Sequence, residues 1–410
     1  MRIVFSTDWY SEGMGYSENI LPIVLARMGH EVFVVSSTMQ VYGDHAFYRD
    51  VYERFLGPAI LEPGTKVIDG VTLIRLPIQL WWKRLKIARG RVQAVVDLRP
   101  DIVFSYDPRS MQTAMLSAAA WFSDFKLFSS VHTVASVYPA FYHYAEMPIL
   151  RRAWLRLTDT WIGWFASRRI EVSYANTPDA VEIALRFLGA RSGRVKLIPS
   201  GLDVAHLRPA RDAQDARERT AIRASLGVTD DEILCIYTGR LTAAKNPKVL
   251  AEAVRILREN RKPYRAIFFG EGEQAAEIAS VDGCAVMPFV KYQALPAYYR
   301  AVDVGVWPRQ ESVSMTDAAA CGTPIIASDR MLARERIDGN GLSYVENDPA
   351  DLARVLTELA DPALRARLGA RGAEKMVAQF NIEKTAAEVL ADFRLAIGGA
   401  AVAREAGADA

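Results

Sequence analysis

Short, continuously apolar runs alternate with helical patterns along almost the whole chain, and this alternation restricts the possible folds more than any other feature. RIVFST (2–7) leads into a loop bearing Gly13 and Gly15, then into the helical pattern YSENILPIVLARMGH (16–30), then into a second apolar run, EVFVVSS (31–37). Strand, glycine-bearing loop, helix and strand in that order make a right-handed βαβ unit. Strands that lack polar alternation belong to a parallel sheet covered on both faces.

The pattern recurs in DIVFSY (101–106) with a helix from about Pro108, in FKLFSSVH (125–132), and in VSYAN (172–176) with a helix from about Pro178. VIDGVTLIRL (67–76) reads as a hairpin. The register changes at VKLIPSGLDVAHLRP (195–209), and the polar stretch 210–231, with little apolar periodicity, reads as a passage between domains. A second series follows: ILCIYTGR (233–240), YRAIFFGEG (264–272), CAVMPFV (284–290), VDVGVWP (302–308) and PIIAS (324–328), separated by helices, and then GLSYV (341–345). Helices near 349–359, 361–378 and 382–397 close the chain, and 398–410 reads as a frayed tail. The expected fold is α/β: two doubly wound Rossmann-like domains, 1–199 and 200–380, facing across a cleft. Such sheets bind ligands at the carboxyl ends of their strands.

Composition removes several other classes. A net charge of +2 implies no general affinity for nucleic acid. Cys235, Cys284 and Cys321 lie in or beside apolar patterns without metal-ligand spacing, as expected of buried reduced thiols in a cytoplasmic protein. No uninterrupted apolar run reaches the length of a membrane span, and MRIVFS at the start is already a strand pattern rather than a leader.

The stretch from Trp307 to Ala327, WPRQESVSMTDAAACGTPIIA, concentrates the chemistry of the second series. It reads as a strand end, a short loop, a compact helix and the next strand. A helix that opens directly after a strand gathers unpaired backbone N–H groups where a phosphate can sit, and Glu311, Ser312, Ser314, Thr316 and Asp317 line the approach. Ser314-x-x-Asp317 also fits a capping box, which gives Asp317 a structural alternative. Arg240 and Lys245 flank a turn after the strand 233–238, where two cations can neutralise a diphosphate without a metal.

GRLTAAKNP (239–247), FFGEG, PSGLD and ESVSMTDAAACGTP together resemble the C-terminal half of the retaining glycosyltransferases of family 4. The glycine loop, GHEV (29–32), RPDIV (99–103) and His132 extend the resemblance to the N-terminal half. It implies the GT-B fold, with an N-terminal acceptor domain, a C-terminal nucleotide-sugar donor domain, and a helix at 381–397 returning to the N-terminal domain. It also implies metal-independent transfer of a hexose from a UDP- or GDP-sugar with retention, no cofactor being required. Arg240 and Lys245 match the family pair that grips the pyrophosphate, and Gly13 and Gly15 match the loop that faces it. Phe289 and Val290 match the position that holds the nucleobase, and Ser314 and Met315 lie in the phosphate-facing turn. His132 matches a histidine that contacts the donor hexose. The family pattern Glu-x7-Glu predicts acids at 309 and 317; this chain has Arg309 and Asp317. Asp317 is thus the candidate ribose ligand, and Glu311, two residues on from Arg309, the candidate for the missing sugar contact.

Two segments bear on the acceptor. Trp81, Trp82, Lys83, Arg84 and Lys86 open a basic run without acids, and RRAWLRLTDTWIGWFASRR (151–169) puts Trp154, Leu157, Trp161, Trp164 and Phe165 near one helical face. Both suit a peripheral enzyme on an anionic, cytoplasmic membrane surface that glycosylates a lipid or lipid-linked glycan. For the second segment, aromatics facing the core are an equal alternative. A nucleotide-sugar epimerase of GT-B fold, and a non-catalytic sugar-nucleotide or lipid-binding protein, remain the rival functions.

Overall fold

The computed structural model describes residues 1–80, 87–138 and 140–408, which form two compact units. The first comprises Met1–His45, Pro58–Gly201 and Ile382–Ala410; the second comprises Ala46–Gly57 and Leu202–Asn381. The chain therefore leaves the first unit at His45 and returns at Pro58. This excursion had no counterpart in the expected single boundary near 199.

In the first unit, eight strands form one sheet. Across it the order is Val195–Leu197, Ile170–Ala175, Lys126–Val131, Ile102–Tyr106, Arg2–Ser6, Glu31–Ser37, Val71–Leu76 and Gly64–Ile68. All neighbours are parallel except the last pair, the antiparallel hairpin at the edge. Successive residues of Arg2–Ser6 explain the continuous apolar pattern. Ile3 and Phe5 join one core with Phe104, Phe128 and Tyr174, whereas Val4 joins the opposite core with Val35, Val103 and Leu127. Both faces are covered, so neither set can be polar.

The terminal helix belongs to this unit. Ile382, Ala386, Val389, Leu390 and Phe393 complete the first core, with Phe393 edge-on to Phe128 at 4.6 Å between centroids. Asp392 anchors it by accepting from the Tyr174 hydroxyl at 2.9 Å and pairing with Lys196. The helix runs Ile382–Ala408, so the tail expected to fray from 398 continues the helix instead.

The second unit carries a six-stranded parallel sheet in the order Cys284–Met287, Tyr264–Phe269, Ile233–Thr238, Val304–Trp307, Ile325–Ser328 and Gly341–Tyr344. Helix Val313–Ala320 packs against Pro362–Gln379, where Gly369 permits close approach: a Cβ there would lie 2.0 Å from the Gly322 carbonyl oxygen.

The polar stretch 210–231, read from the sequence as a passage between domains, contains the helix Ala213–Ser225 packed on Leu295–Ala301. Charge rather than an apolar stripe holds it. Arg219 and Arg223 each reach the Asp303 carboxylate at 3.0 Å, and Arg208 and Arg300 pair with Asp215 at 2.6 and 3.3 Å. Asp303 also accepts from the Leu234 amide at 2.9 Å, which ties the helix to the central strand. Asp303→Ala would strand the buried Arg223 guanidinium, and we expect it to cost about 3 kcal/mol, read as a lowered urea midpoint with the UDP-binding signal retained below that midpoint.

Candidate functional site

Each sheet reverses its strand order at one point, and there the loops leaving two neighbouring strands part to either side and open a crevice at their carboxyl ends. In the second unit that point lies between Ile233–Thr238 and Val304–Trp307. The loop after the first strand carries Arg240 and Lys245. The loop after the second carries Arg309 to Ser312, and Ser314 lies in the first turn of the helix that follows.

Lys245 crosses between these loops. Its ammonium donates to the Glu311 carbonyl at 3.0 Å, and burial pushes its pKa down to about 8 while the Glu311 carboxylate and neighbouring arginines act in opposite directions. The Arg240 guanidinium lies over the Phe47 ring, 5.2 Å from its centroid, and the Tyr237 hydroxyl fixes the turn by donating to the Arg240 carbonyl at 2.9 Å. Gly270 allows this turn to pack: a Cβ there would meet the Gly239 carbonyl oxygen at 1.9 Å.

Helix Val313–Ala320 opens on this loop with Ser312 as its N-cap, so Ser314-x-x-Asp317 is not a capping box. The Ser314 hydroxyl instead donates to the Thr238 carbonyl at 3.2 Å and accepts from the Trp307 indole at 3.1 Å. Any contact of Ser314 or Met315 with a phosphate must use the backbone, since the Met315 side chain is fully buried. Arg309 holds its place by donating to the Ala243 carbonyl at 3.3 Å and lying 3.8 Å from Glu346, so a cation with its own acidic partner replaces the expected acid. Glu311 is half-buried beside Lys245.

Asp317 is 4% exposed, and its Oδ1 has no hydrogen-bond partner. Burial pushes its pKa up to about 8 against the opposing charge of Arg336, so it is mostly protonated at neutral pH. An orphaned carboxyl oxygen in a buried wall suits a ligand hydroxyl.

Phe289 and Val290 follow the strand Cys284–Met287 and are half-buried. Phe289 does not stand alone: Tyr52 stacks on it at 5.4 Å and 14°, and Phe55 tilts against it at 5.9 Å. Sequence reasoning missed this excursion, Ala46–Gly57, whose rings reach both Phe289 and, through Phe47, Arg240. The available signal was the aromatic spacing of Phe47, Tyr48, Tyr52 and Phe55 in a segment that serves no strand.

In the first unit the reversal lies between Arg2–Ser6 and Ile102–Tyr106. Gly13, at φ +82°, and Gly15 sit in the loop before helix Ser17–Arg27. His132 follows Lys126–Val131, with Nε2 2.7 Å from the Ser130 hydroxyl and 3.3 Å from that of Ser17, and Nδ1 3.4 Å from the Asn176 amide nitrogen. Surrounding protein lowers its pKa against the opposing Asp107 charge, although the ring's exposed edge moderates the effect; it is neutral at pH 7. Asp107, just before the helix start expected at about Pro108, takes φ +65° and is clasped by Arg109 at 2.6 Å, which also donates to Thr133 at 2.9 Å. The helix begins at Met111 with Ser110 as its cap.

The aromatic face of 151–169 does not enter a core: Trp154, Leu157, Trp161, Trp164 and Phe165 are all exposed. Trp81, Trp82, Lys83, Arg84 and Lys86 lie outside the described residues. Arg91, from the same basic run, is buried and bonded to Asp8 at 2.8 Å, so it is no part of a solvated basic surface.

Two Rossmann-like sheets, each with loops of this kind at its point of reversal, define the GT-B glycosyltransferases, and solved structures agree. A glycosyltransferase of lipopolysaccharide biosynthesis, WaaG, aligns with a TM-score of 0.66 at 15% identity over 94% of this chain and 99% of its own. Anabaena HepE in complex with UDP aligns with a TM-score of 0.67 at 16% identity over 95% of this chain and 100% of its own, and HepE is also known with UDP-glucose. Residues 24–206 match Glycosyltransferase Family 4, and residues 232–361 match Glycosyl transferases group 1. D-inositol 3-phosphate glycosyltransferase from Streptomyces avermitilis is 31% identical over 81% of this chain and 74% of its own length. The chain belongs to glycosyltransferase family 4, group 1, and transfers a sugar from a nucleotide sugar.

Asp317 supplies a pH test. Its folded pKa, near 8, lies above the ordinary value of 3.8, so the folded state holds the extra proton between those values and stability falls as pH rises through that window. Asp317→Asn removes this dependence: the melting temperature of the variant minus that of the wild type should increase from pH 4 to pH 8 and then level off.

Proposed function

We propose that the protein is a retaining, metal-independent hexosyltransferase that uses a UDP- or GDP-sugar and glycosylates a lipid or lipid-linked acceptor at the cytoplasmic membrane surface. The observation that carries the donor half is the convergence of Lys245, Arg240 and the opening of helix Val313–Ala320 on the two loops at the reversal of the second sheet. Both cations would neutralise the departing diphosphate, and the backbone of the Ser314–Met315 turn would bind a phosphate oxygen. Asp317 would accept from a ribose hydroxyl, and Glu311 would take the hexose contact that Arg309 cannot make. Phe289 and Val290 would border the nucleobase.

Within the first unit, the family resemblance points to the Gly13–Gly15 loop as facing a diphosphate and to the neutral His132 ring as facing a hexose. The leaving diphosphate oxygen would accept the acceptor proton on the same face of the sugar, which retains configuration without a pair of carboxylates. The relation to HepE, known with UDP and UDP-glucose, supports a UDP-sugar as the first donor to test. Membrane contact is supported by the exposed tryptophans of 151–169; no helix among the described residues is long and apolar enough to cross a membrane. A second reading, transfer to a soluble phosphorylated polyol, is favoured by the inositol phosphate relatives. An acceptor panel containing both classes, with the anomeric proton of the product read by NMR, separates the two readings and checks retention.

Arg240→Ala with Lys245→Ala should lower transfer by about 10³-fold or more with the fold intact by circular dichroism, whereas the wild type should keep its activity in excess chelator. Activity of the double variant within tenfold of wild type would reject these groups as the diphosphate grip.

The lowered pKa of Lys245 predicts a further effect. Its charge is lost as pH rises through about 8, so affinity for UDP should fall over that range, and Lys245→Arg should flatten the dependence. Calorimetric titration with UDP from pH 6.5 to 9.5 checks it.

A further inference from the structure

The structure assigns a binding site for the phosphate headgroup of an anionic membrane lipid to the arginine-lined cavity on the helical stretch 149–166. The assignment deepens the membrane-contact reading above and rests on it. This stretch comprises helix Ile149–Leu155, a π-helical turn Arg156–Thr160 and helix Trp161–Ala166. A π-turn inside a helix widens its winding and is frequent at functional positions. Here the turn starts with Arg156, whose Nε donates to the Tyr144 hydroxyl at 3.0 Å. A cavity of about 460 Å³ opens beside it, lined by Tyr144, Ile149, Arg152, Arg156, Leu157 and Trp161. A smaller one of about 270 Å³ shares Tyr144, Arg156 and Trp161 and extends to Tyr138 and Arg186. The larger volume falls within the range of about 300–1,000 Å³ usual for small-molecule sites.

Charge selects the occupant. Between Met147 and Ile170 there are five arginines and one acid, Asp159, and that acid is buried against the Tyr138 hydroxyl at 3.0 Å. Among the described residues, Arg151, Arg152 and Arg156 have no carboxylate partner. The Arg168 and Arg169 guanidinium carbons lie over tryptophan rings, 3.8 Å from the Trp164 centroid and 4.5 Å from that of Trp121, which leaves them charged on an apolar surface. Among the described residues, Glu146 is bonded to His143 and Glu182 is paired with Arg186.

The surroundings select a membrane over a free anion. Leu150 is 85% exposed and Trp161 67%, and Trp121, 60% exposed under Arg169, comes from a different part of the chain, so the apolar surface is assembled from two segments. Tryptophans and arginines around exposed aliphatic side chains match the zone where acyl chains meet headgroups. Ile149, Leu150 and Trp154 would enter that zone, and Arg152 and Arg156 would meet the phosphate from the cavity floor.

The full-length protein should sediment with phosphatidylglycerol/phosphatidylcholine vesicles at low salt and much less with phosphatidylcholine alone. Arg152→Ala with Arg156→Ala should weaken that binding by about tenfold or more; replacement by lysine should restore part of it, and Arg367→Ala, an exposed change in the second unit, should leave it unchanged. UDP-induced thermal stabilisation, which reads the donor site alone, should be the same in every variant. Wild-type vesicle binding by the alanine double variant overturns the headgroup site while leaving membrane contact standing. Absence of wild-type binding to either vesicle overturns both membrane statements and leaves the transferase reading intact. Glycerol 3-phosphate that stabilises the protein through Arg152 and Arg156 without vesicle binding would reassign the cavity to a free phosphate.

Discussion

A parallel sheet with both faces covered sends every strand's carboxyl end to the same edge, and most of this protein's chemistry follows from that constraint. Helices occupy the two faces, so the only open backbone lies in the loops at the sheet ends. Where the strand order reverses, loops from two neighbouring strands diverge and leave room for a ligand. In the second unit those loops carry Lys245 and Glu311, and the bond from the Lys245 ammonium to the Glu311 carbonyl joins them directly. In the first unit the corresponding loops carry Gly13, Gly15 and Asp107, and the adjacent strand presents His132 through Ser130 and Ser17.

The departure at Arg309 is balanced locally. A cation where the family has an acid would repel Arg240 and Lys245 if it were free, but it lies near Glu346 and donates to the Ala243 carbonyl. Glu346 in turn accepts from the Ser328 hydroxyl at 2.8 Å, which fixes the carboxylate from the neighbouring strand end. The change therefore brings its own counter-charge and leaves the loop conformation supported. It does not supply a sugar-facing acceptor, and Glu311 is the acid next along this loop.

Much of the architecture was legible because apolar continuity encodes two-sided burial: Ile3, Val4 and Phe5 enter two different cores in succession. The hairpin at 67–76 was legible through Asp69-Gly70, both of which take positive φ. Helix Ala213–Ser225 was not legible, because ion pairs to Asp303 and Arg300 replace the apolar stripe that periodicity detects, and these pairs join residues some 80 positions apart. The assignment of Ala46–Gly57 to the second unit was hidden for the same reason: stacking of Tyr52 on Phe289 is a tertiary fact with no local pattern. Of the candidate site, the residue types after each strand could be read, but the partners that decide their charge could not. Asp317 kept a cap as an alternative to a ligand until Ser312 proved to be the cap.

Lys245 and Asp317 show how burial prepares a donor site of the proposed kind. Desolvation disfavours the charged form of each, lowering the lysine and raising the aspartate, so their charges are held weakly. A diphosphate beside Lys245 would favour its ammonium form, and a hydroxyl at Asp317 would supply the partner its Oδ1 lacks. The cost of burying these groups is met when the protein folds, before any ligand arrives. At the proposed site a nucleotide diphosphate sugar would meet polar atoms already stripped of water, and both its charge and its hydroxyls would gain more there than from the same contacts on an open surface.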